Sequence, residues 1–242
     1  MGFQNWGFME RVAIYTCIIG AYDELRQPRL INPEMDYICF VGPGEKTCER
    51  IGVWWIRELG SPEASAPGMP LKDKALLSRY PKMHPHLLLA DYDASLWIDG
   101  NIEICDGTIY RAVRTKLCAG VKYSGVSHPS RDNVYDEAVM CRKMGYISWP
   151  GFLKVLLFLI FHGEKRKGAA LMENNLIFRR HNDPSVVALD ELWWKKVNTL
   201  CRRDQISFMW CLRKCGIYRD YLLPQGQNVR NHPGFRYLSH RG

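Results

Sequence analysis

A continuous run of β-prone apolar residues extends from Val12 to Ile19 and ends at Gly20, and it constrains the fold more than any other feature of the chain. Strands that are apolar on both faces occur where a sheet is covered on both sides, as in parallel α/β sheets. Similar runs cover residues 36–41, 53–56 and 94–98, with loop or helical segments between them. This alternation predicts one α/β domain with a mostly parallel, Rossmann-like central sheet.

The rest of the chain adds helices and one short strand to this plan. Residues 176–179 are predicted to form the strand. Prolines at positions 81 and 85 must break or kink the predicted helix at residues 71–89. The predicted helical segments are residues 71–89, 132–144, 186–200 and 205–215.

The composition is typical of a globular protein that keeps its thiols reduced. Of 242 residues, 47% are apolar, which is ample for one packed core. The nine cysteines are odd in number and form no Cys-x-x-Cys pair, which favours free thiols and a cytoplasmic location. The N-terminus lacks a basic segment leading into an apolar one, and the run from Val155 to Phe161 is shorter than the roughly 20 residues that span a bilayer. We therefore expect neither a secretion signal nor a membrane span.

The formal charge of +8 suggests polyanionic partners: nucleic acid, an anionic membrane surface or phosphorylated substrates. Nucleic acid is the least favoured of these, because neither an aromatic-basic RNA-recognition pattern nor zinc-finger spacing is present. The apolar segment 152–161, with the basic segment 162–167 after it, leaves two interpretations open. It is either a buried helix with a solvated basic end or an in-plane contact with the cytoplasmic face of a membrane.

The strongest candidate for chemistry is Asp99-Gly100-Asn101, which directly follows the apolar run 94–98. A strand that delivers an acid and a second oxygen ligand can bind a divalent cation, which in turn can bridge the phosphates of a nucleoside diphosphate. Ligands of parallel α/β sheets bind at the carboxyl ends of strands, so the loop at Gly20 belongs to the same candidate crevice. A simple strand-ending turn is the alternative.

Six blocks in order along the chain resemble a known family. Together they are similar to the family once called domain of unknown function 616, now described as glycosyltransferase-like. A more distant likeness is to family-8 retaining glycosyltransferases, which share a strand into Asp-x-Asp, a later Asn-containing strand and an Asp-Gln before a helix. The resemblance implies a GT-A fold, a nucleoside diphosphate sugar donor and a divalent metal, Mn²⁺ or Mg²⁺. The blocks are residues 14–23, 78–86, 91–101, 128–138, 173–182 and 203–208.

The resemblance also implies roles at the donor site. Tyr22 would stack on the base, and Lys82 would bind the diphosphate as a compact cation; the alternatives are a packed ring in a tight turn and a solvated lysine. Metal ligands would be Asp99, Asn101 and His232, although Asn101 stands where family-8 enzymes keep a second Asp, and Val41-Gly42 stands where relatives are expected to have Thr-Asp. The implied nucleotide-sugar-binding residues are Thr16, Gly20, Tyr22, Arg79, Lys82 and Asp99.

The reaction centre is expected in the second half of the chain. Asp204, Gln205 and Glu173 are the candidate catalytic groups. Asp204 and Gln205 would steady an oxocarbenium-like state in a retaining mechanism. The segment at Glu173 would bind sugar hydroxyls, or it is simply a polar turn. Asp204 also suits a helix N-cap, and both roles are compatible. Arg131 and Glu137 are six residues apart, so a helix would not place them side by side, and an active-site wall or a buried ion network fits them equally. The candidate sugar- or acceptor-binding residues are His128, Arg131, Asn174 and Arg203.

These observations predict one GT-A-type domain over residues 1–242, with a nucleotide-sugar half at about 12–125 and an acceptor half at about 126–242. The expected activity is sugar transfer to a glycan or glycolipid, as in polysaccharide or lipopolysaccharide synthesis. The main rival is a GT-A-like module that binds glycans or acidic partners without turnover. A lipid hydrolase is disfavoured because the chain has no Gly-x-Ser-x-Gly motif.

Overall fold

The computed structural model describes residues 10–20, 22–166 and 170–239. Nine strands are present in these ranges, seven of them in one sheet and two in a small separate ladder. The strands are β1 (Val12–Ile18), β2 (Met35–Val41), β3 (Arg50–Ile51), β4 (Trp54–Glu58), β5 (Ala94–Ile98), β6 (Ile102–Ile104), β7 (Tyr123–Ser127), β8 (Met172–Arg179) and β9 (Phe235–Tyr237).

The seven-stranded sheet has the order β3-β4-β2-β1-β5-β8-β7. Strand β1 pairs in parallel with both β2 and β5, and β2 pairs in parallel with β4. Strand β8 runs antiparallel to its neighbours β5 and β7. The predicted α/β class with a mostly parallel sheet is confirmed, and strands from both halves of the chain lie in the one sheet.

Eight helices in the described ranges cover the sheet. The predicted helical segment 71–89 is divided into three short helices, since Pro81 lies in the first turn of the second and Pro85 in the first turn of the third. The other three predicted helices are confirmed within two residues at each end. The helices are α1 (Lys74–Leu77), α2 (Tyr80–Met83), α3 (Pro85–Leu88), α4 (Thr108–Cys118), α5 (Val134–Lys143), α6 (Trp149–Phe161), α7 (Pro184–Thr199) and α8 (Asp204–Lys214).

Apolar side chains form one core on each face of the sheet. On one face, helices α5 to α8 pack on strand residues such as Tyr15 and Trp97. On the other face, α4 and the β6–β9 ladder pack on residues such as Ile14 and Leu96. Because the central strands are covered on both sides, their sequences are apolar at consecutive positions rather than at alternate ones.

A fully buried ion pair crosses the core between the sheet and α7. The Arg179 guanidinium donates to the Asp190 carboxylate over 2.6 Å, and neither side chain is exposed to solvent. Removing two charges from water is costly, and each charge of the pair depends on the other to offset that cost.

Helix α6 corrects one interpretation of the sequence. Only Val155 and Leu159 of this helix are fully buried, while Trp149 is 66% exposed and Phe161 82% exposed. The helix is therefore attached to the protein along a narrow strip and is not a buried helix. Lys167, at the end of the basic segment that follows, lies outside the described residues.

None of the described helices combines the length and the apolar character that crossing a bilayer requires. All nine cysteines are free thiols.

Candidate functional site

The carboxyl ends of β1, β2 and β4 border a cavity of about 400 Å³. Ile18, Val41 and Ile56 form apolar walls, and Gly20 and Glu45 lie at its polar edge. The cavity adjoins the loop after β5, since a Cβ atom at Gly100 would lie 3.2 Å from Ile18 Cγ1. Its volume falls within the usual range for small-molecule sites.

The Glu45 carboxylate bridges the loops that follow β1 and β2. It accepts hydrogen bonds from the backbone N–H groups of Gly20 at 2.9 Å and Gly42 at 3.0 Å. A Cβ atom at Gly42 would lie 2.9 Å from Glu45 Oε2, closer than atoms normally approach. The carboxylate therefore occupies the space where a side chain at position 42 would project. Sequence reasoning missed Glu45, because an acid in a Gly-Pro turn looks like a solvated loop residue.

The Lys82 ammonium group lies between two carboxylates beside this crevice. Helix α2 presents Lys82, the end of β5 presents Asp99, and the first residue of α8 is Asp204. Lys82 Nζ is 2.9 Å from Asp204 Oδ2 and 3.7 Å from Asp99 Oδ1, and it is buried. The structure thus brings together three predicted site residues that are up to 122 positions apart in sequence.

Asp204 is ionised in this setting. Burial alone would raise the pKa of its carboxyl, but the Lys82 and Arg79 cations outweigh burial and lower that pKa to about 2. The N-cap of α8 is Arg203, so Asp204 is the first helical residue and does not cap the helix. Its charge still faces the positive end of the helix dipole.

Asp99 and Asn101 have different surroundings. The Trp97 indole donates to Asp99 Oδ1 at 2.6 Å, and the Asp99 side chain is one-third exposed. Asn101 is 2% exposed, and its amide nitrogen donates to the Leu238 carbonyl at 2.8 Å. Of Asp99 and Asn101, Asp99 is therefore the residue whose side chain a cation in the crevice could reach.

His232, the third proposed metal ligand, lies elsewhere. Its Nδ1 accepts from the Gly234 backbone N–H at 2.9 Å, near Asp106. Gly234 bonds to Cys105 at one end of the β6–β9 ladder, whereas Asn101 bonds to Leu238 at the other, roughly 10 Å away. The structure does not bring His232 together with Asp99.

The side chains available as metal ligands are compatible with a cation held by one carboxylate. Among the described residues, no group of three or more His, Cys, Asp or Glu side chains is placed to hold a metal ion. Mg²⁺ at phosphate sites commonly takes one or two protein carboxylates and fills its other positions with phosphate oxygens and water. The accessible Asp99 fits that pattern, and the buried Asn101 contributes no charge to it.

Glu173, at the start of β8, is bound by an arginine that the sequence did not single out. Arg230 Nη1 donates to both carboxylate oxygens of Glu173, at 2.6 and 2.5 Å. Burial raises the pKa of Glu173; Arg230 opposes this rise and the negative charge of Asp99 adds to it. Arg230 lies in a loop without helix or strand periodicity, and only the density of polar residues at positions 225–232 could have indicated an ordered segment.

His128, Arg131 and Glu137 form one cluster. The Arg131 guanidinium donates to Glu137 at 2.5 Å, and His128 Nε2 is 3.7 Å from the same carboxylate. Arg131 precedes α5, so the loop can fold back onto Glu137 although the two are not neighbours on a helix. Burial and the nearby Arg131 cation together lower the pKa of His128 to about 4, although the charge of Glu137 opposes them. His128 is therefore neutral at pH 7.

Three further predicted residues surround Asp204 or β8. Gln205 is buried and donates through its side-chain amide to the Met172 carbonyl. The Arg203 guanidinium lies 4.6 Å from the ring centre of Tyr146. Asn174 is buried, and neither polar atom of its side chain has a hydrogen-bond partner among the described residues. A buried amide of this kind is costly unless a ligand or water satisfies it.

The predicted residues Thr16, Gly20 and Tyr22 lie in β1 or at the turn that follows it. Thr16 is buried within β1 and pairs with Cys39 of β2, so it lies inside the sheet. Tyr22 is half exposed beyond the turn at Gly20. Gly20 itself has a φ of +68°, a conformation that side chains rarely adopt.

The site therefore has two parts that adjoin at Gly100: an apolar cavity, and the buried Lys82 cation between the Asp99 and Asp204 side chains. Such a site can take a flat apolar ring that carries a polyanionic group. It can also hold a carboxylate beside a reacting carbon atom.

Comparisons with known proteins identify a family and two similar folds. The family described as "TOD1/MUCI70, glycosyltransferase-like domain" matches residues 8–223. No curated protein matches the chain. Among solved structures, mouse xyloside xylosyltransferase 1 in its apo form is similar at 6% identity and a TM-score of 0.49, covering 88% of this chain and 84% of that one. The WbbM bifunctional glycosyltransferase is similar at 11% identity and a TM-score of 0.45, covering 93% of this chain and 40% of that one.

Proposed function

Because this chain belongs to the TOD1/MUCI70 family of glycosyltransferase-like domains, which confirms the resemblance noted in the sequence, we propose that it transfers a sugar from a nucleoside diphosphate sugar to a glycan or glycolipid. One observation carries the proposal beyond the family assignment: the Lys82 ammonium lies between Asp204 and Asp99, and the residue after Asp99, Gly100, adjoins the cavity at Ile18. A departing diphosphate needs a cation, and the forming sugar cation needs a carboxylate.

The donor would lie across the carboxyl ends of the strands. Its base would enter the cavity between Ile18 and Ile56, with Tyr22 at the entrance. Its diphosphate would extend towards Lys82, with Arg79 close enough to affect the charge of Asp204. A divalent cation on Asp99 would offset further negative charge on the phosphates.

The sugar would then be placed near Asp204, Gln205 and Glu173. Asp204 remains ionised because of its cationic neighbours and would stabilise an oxocarbenium-like state. Gln205 holds α8 against β8 through the Met172 carbonyl, which fixes the carboxylate relative to the strand. The unsatisfied amide of Asn174 would bind a sugar hydroxyl, and the cluster of His128 and Arg131 would border the acceptor. We propose retention of anomeric configuration, and a β-product from an α-linked donor would contradict it.

Calorimetric titration with a panel of nucleotide sugars, with and without Mn²⁺, tests this function. We expect one donor to bind in a Mn²⁺-dependent way, and Asp99→Asn to weaken its binding about tenfold through loss of a carboxylate ligand. Asp91→Asn, an exposed acid near the same strand, serves as the matched control. If the folded protein binds no donor, the proposal fails. Binding without transfer to any acceptor would favour the non-catalytic module.

Glu45 is expected to select the base of the donor. Uracil and guanine present a ring N–H that a carboxylate can accept, whereas adenine and cytosine present a ring nitrogen with a lone pair at that position. UDP or GDP should therefore bind at least about tenfold more tightly than ADP and CDP. Glu45→Gln should reduce this preference, because an amide can both donate and accept.

Competition of the four nucleoside diphosphates for the protein measures this preference. Glu49→Gln is the control, since Glu49 is an exposed acid in the same loop that pairs with Lys46. If Glu45→Gln leaves all four affinities in their original ratio, Glu45 only links the two loops.

A further inference from the structure

Half of the exposed large apolar side chains of the described residues come from one short stretch of chain. Eighteen such side chains are exposed, and nine of them lie between positions 139 and 161. We call these nine residues the apolar face. They are Val139, Met140, Met144, Tyr146, Trp149, Leu153, Leu157, Ile160 and Phe161.

The α6 part of the apolar face is a continuous stripe. Trp149, Leu153 and Leu157 follow one another at intervals of four, so they lie on one side of the helix, and Ile160 and Phe161 extend that side by another turn. The opposite side holds the helix to the core through Val155 and Leu159. Exposed apolar area of this extent is unusual on a protein surface that faces only water.

Cations outnumber acids around the apolar face, although the exposed Asp136 lies one turn before Val139 and Met140 on α5. Between positions 138 and 166 the only acid is Glu164, which is buried and paired with Arg213. The Arg142 guanidinium lies 4.6 Å from the centre of the Trp149 ring. The cations of this stretch are Arg142, Lys143, Lys154, Lys165 and Arg166.

We infer that the apolar face docks onto an anionic lipid bilayer, with α6 lying in the plane of the membrane surface. Apolar side chains would enter the boundary between headgroups and acyl chains, and the cations would contact anionic headgroups. Trp149 and Tyr146 suit this level of a membrane, because each ring is apolar with a polar edge. A second copy of this chain fits less well, since two cationic rims would face each other across the contact.

Docking on this face would bring the membrane close to the candidate site. Tyr146 contacts the Arg203 guanidinium, and Arg203 directly precedes Asp204. An acceptor carried in the bilayer would then be presented at the edge of the crevice. The docking itself depends only on the apolar face and its cations, and not on the proposed sugar transfer.

Vesicle co-sedimentation of the full chain tests the inference. Vesicles of phosphatidylcholine with about one-third phosphatidylglycerol should bind the protein at least about tenfold more tightly than pure phosphatidylcholine, and added salt should weaken the binding. The double variant Leu153→Glu/Phe161→Glu should lose at least about tenfold in affinity because two charges would enter the apolar layer. Lys165→Glu/Arg166→Glu should lose the preference for anionic vesicles.

The matched control is Tyr218→Glu, because Tyr218 is 91% exposed and outside the apolar face. It should bind vesicles as the original protein does, and circular dichroism should show that all variants are folded. Absence of binding to anionic vesicles would overturn the inference, as would unchanged binding by Leu153→Glu/Phe161→Glu. Sedimentation equilibrium that shows a dimer dissociated by this double variant would also overturn it and assign the face to a second copy.

Discussion

Replacing Lys82 by methionine is expected to lower the rate of sugar transfer by about 10²- to 10³-fold, the usual loss when one preorganised electrostatic group is removed from a reaction centre. Methionine has nearly the same length but cannot offset charge on the departing diphosphate. Steady-state kinetics at saturating donor would measure the loss in kcat. Lys72→Met, at an exposed position on the approach to α1, is the matched control. A kcat for Lys82→Met equal to that of the original protein would remove Lys82 from the reaction.

The same variant should change the acid response of the fold. The pKa of Asp204 is held at about 2, below its ordinary value, so its ionised form stabilises the protein above about pH 4 and this contribution is lost as the pH falls towards 2. Without Lys82, burial of Asp204 would raise that pKa. The difference in the free energy of unfolding between the original protein and Lys82→Met should therefore be largest near neutral pH and should decrease as the pH falls. Urea unfolding at several pH values would measure this difference.

Asp190→Ala is expected to reduce the free energy of unfolding by about 3 to 5 kcal/mol. The variant leaves the Arg179 guanidinium buried without its counter-charge, and Arg179 has no exposure through which water could compensate. Urea denaturation followed by circular dichroism would measure the loss. Asp183→Ala is the control: Asp183 caps α7 and is paired with Lys122 at the surface, so its loss should cost only about 1 kcal/mol.

A double variant separates the charge effect from simple loss of packing. Arg179→Met/Asp190→Leu removes both charges and keeps much of the volume, so most of the lost stability should return. If the double variant is as unstable as Asp190→Ala, the cost lies in packing and not in the unpaired charge. If Asp190→Ala costs less than about 1 kcal/mol, the pair contributes little to the fold.

The sequence predicted the central strands and most helices because their signals are local. Ala94–Ile98 was predicted with its observed ends, since five buried positions in a row suit only a strand covered on both faces. Helix α4 was missed because its N-cap, Gly107, has no side chain to mark the start of the helix, and because charged residues interrupt its apolar ones. Strand β7 was missed because Ser124 and Gly125 weaken its apolar pattern.

The candidate site was predicted only in part, because contacts between elements that are distant in sequence leave no local signal. The family resemblance pointed to Lys82, Asp99 and Asp204, but their contact depends on how α2, β5 and α8 pack, which no local pattern reports. Arg230 and Glu45 lie in loops, where a charged residue is ordinary and only the folded chain shows its partner. His232 was proposed as a third metal ligand, but the fold holds it at the far end of the β6–β9 ladder from Asn101.

The crowded space at Gly42 has an evolutionary consequence. A side chain at position 42 would take the space that the Glu45 carboxylate now occupies, and Glu45 could make room only by rotating away. A lineage that gains an acid at position 42 would therefore release Glu45 from the backbone N–H groups of Gly20 and Gly42. The acid at position 45 would then lose its role as a link between the two loops, so positions 42 and 45 are expected to covary among relatives.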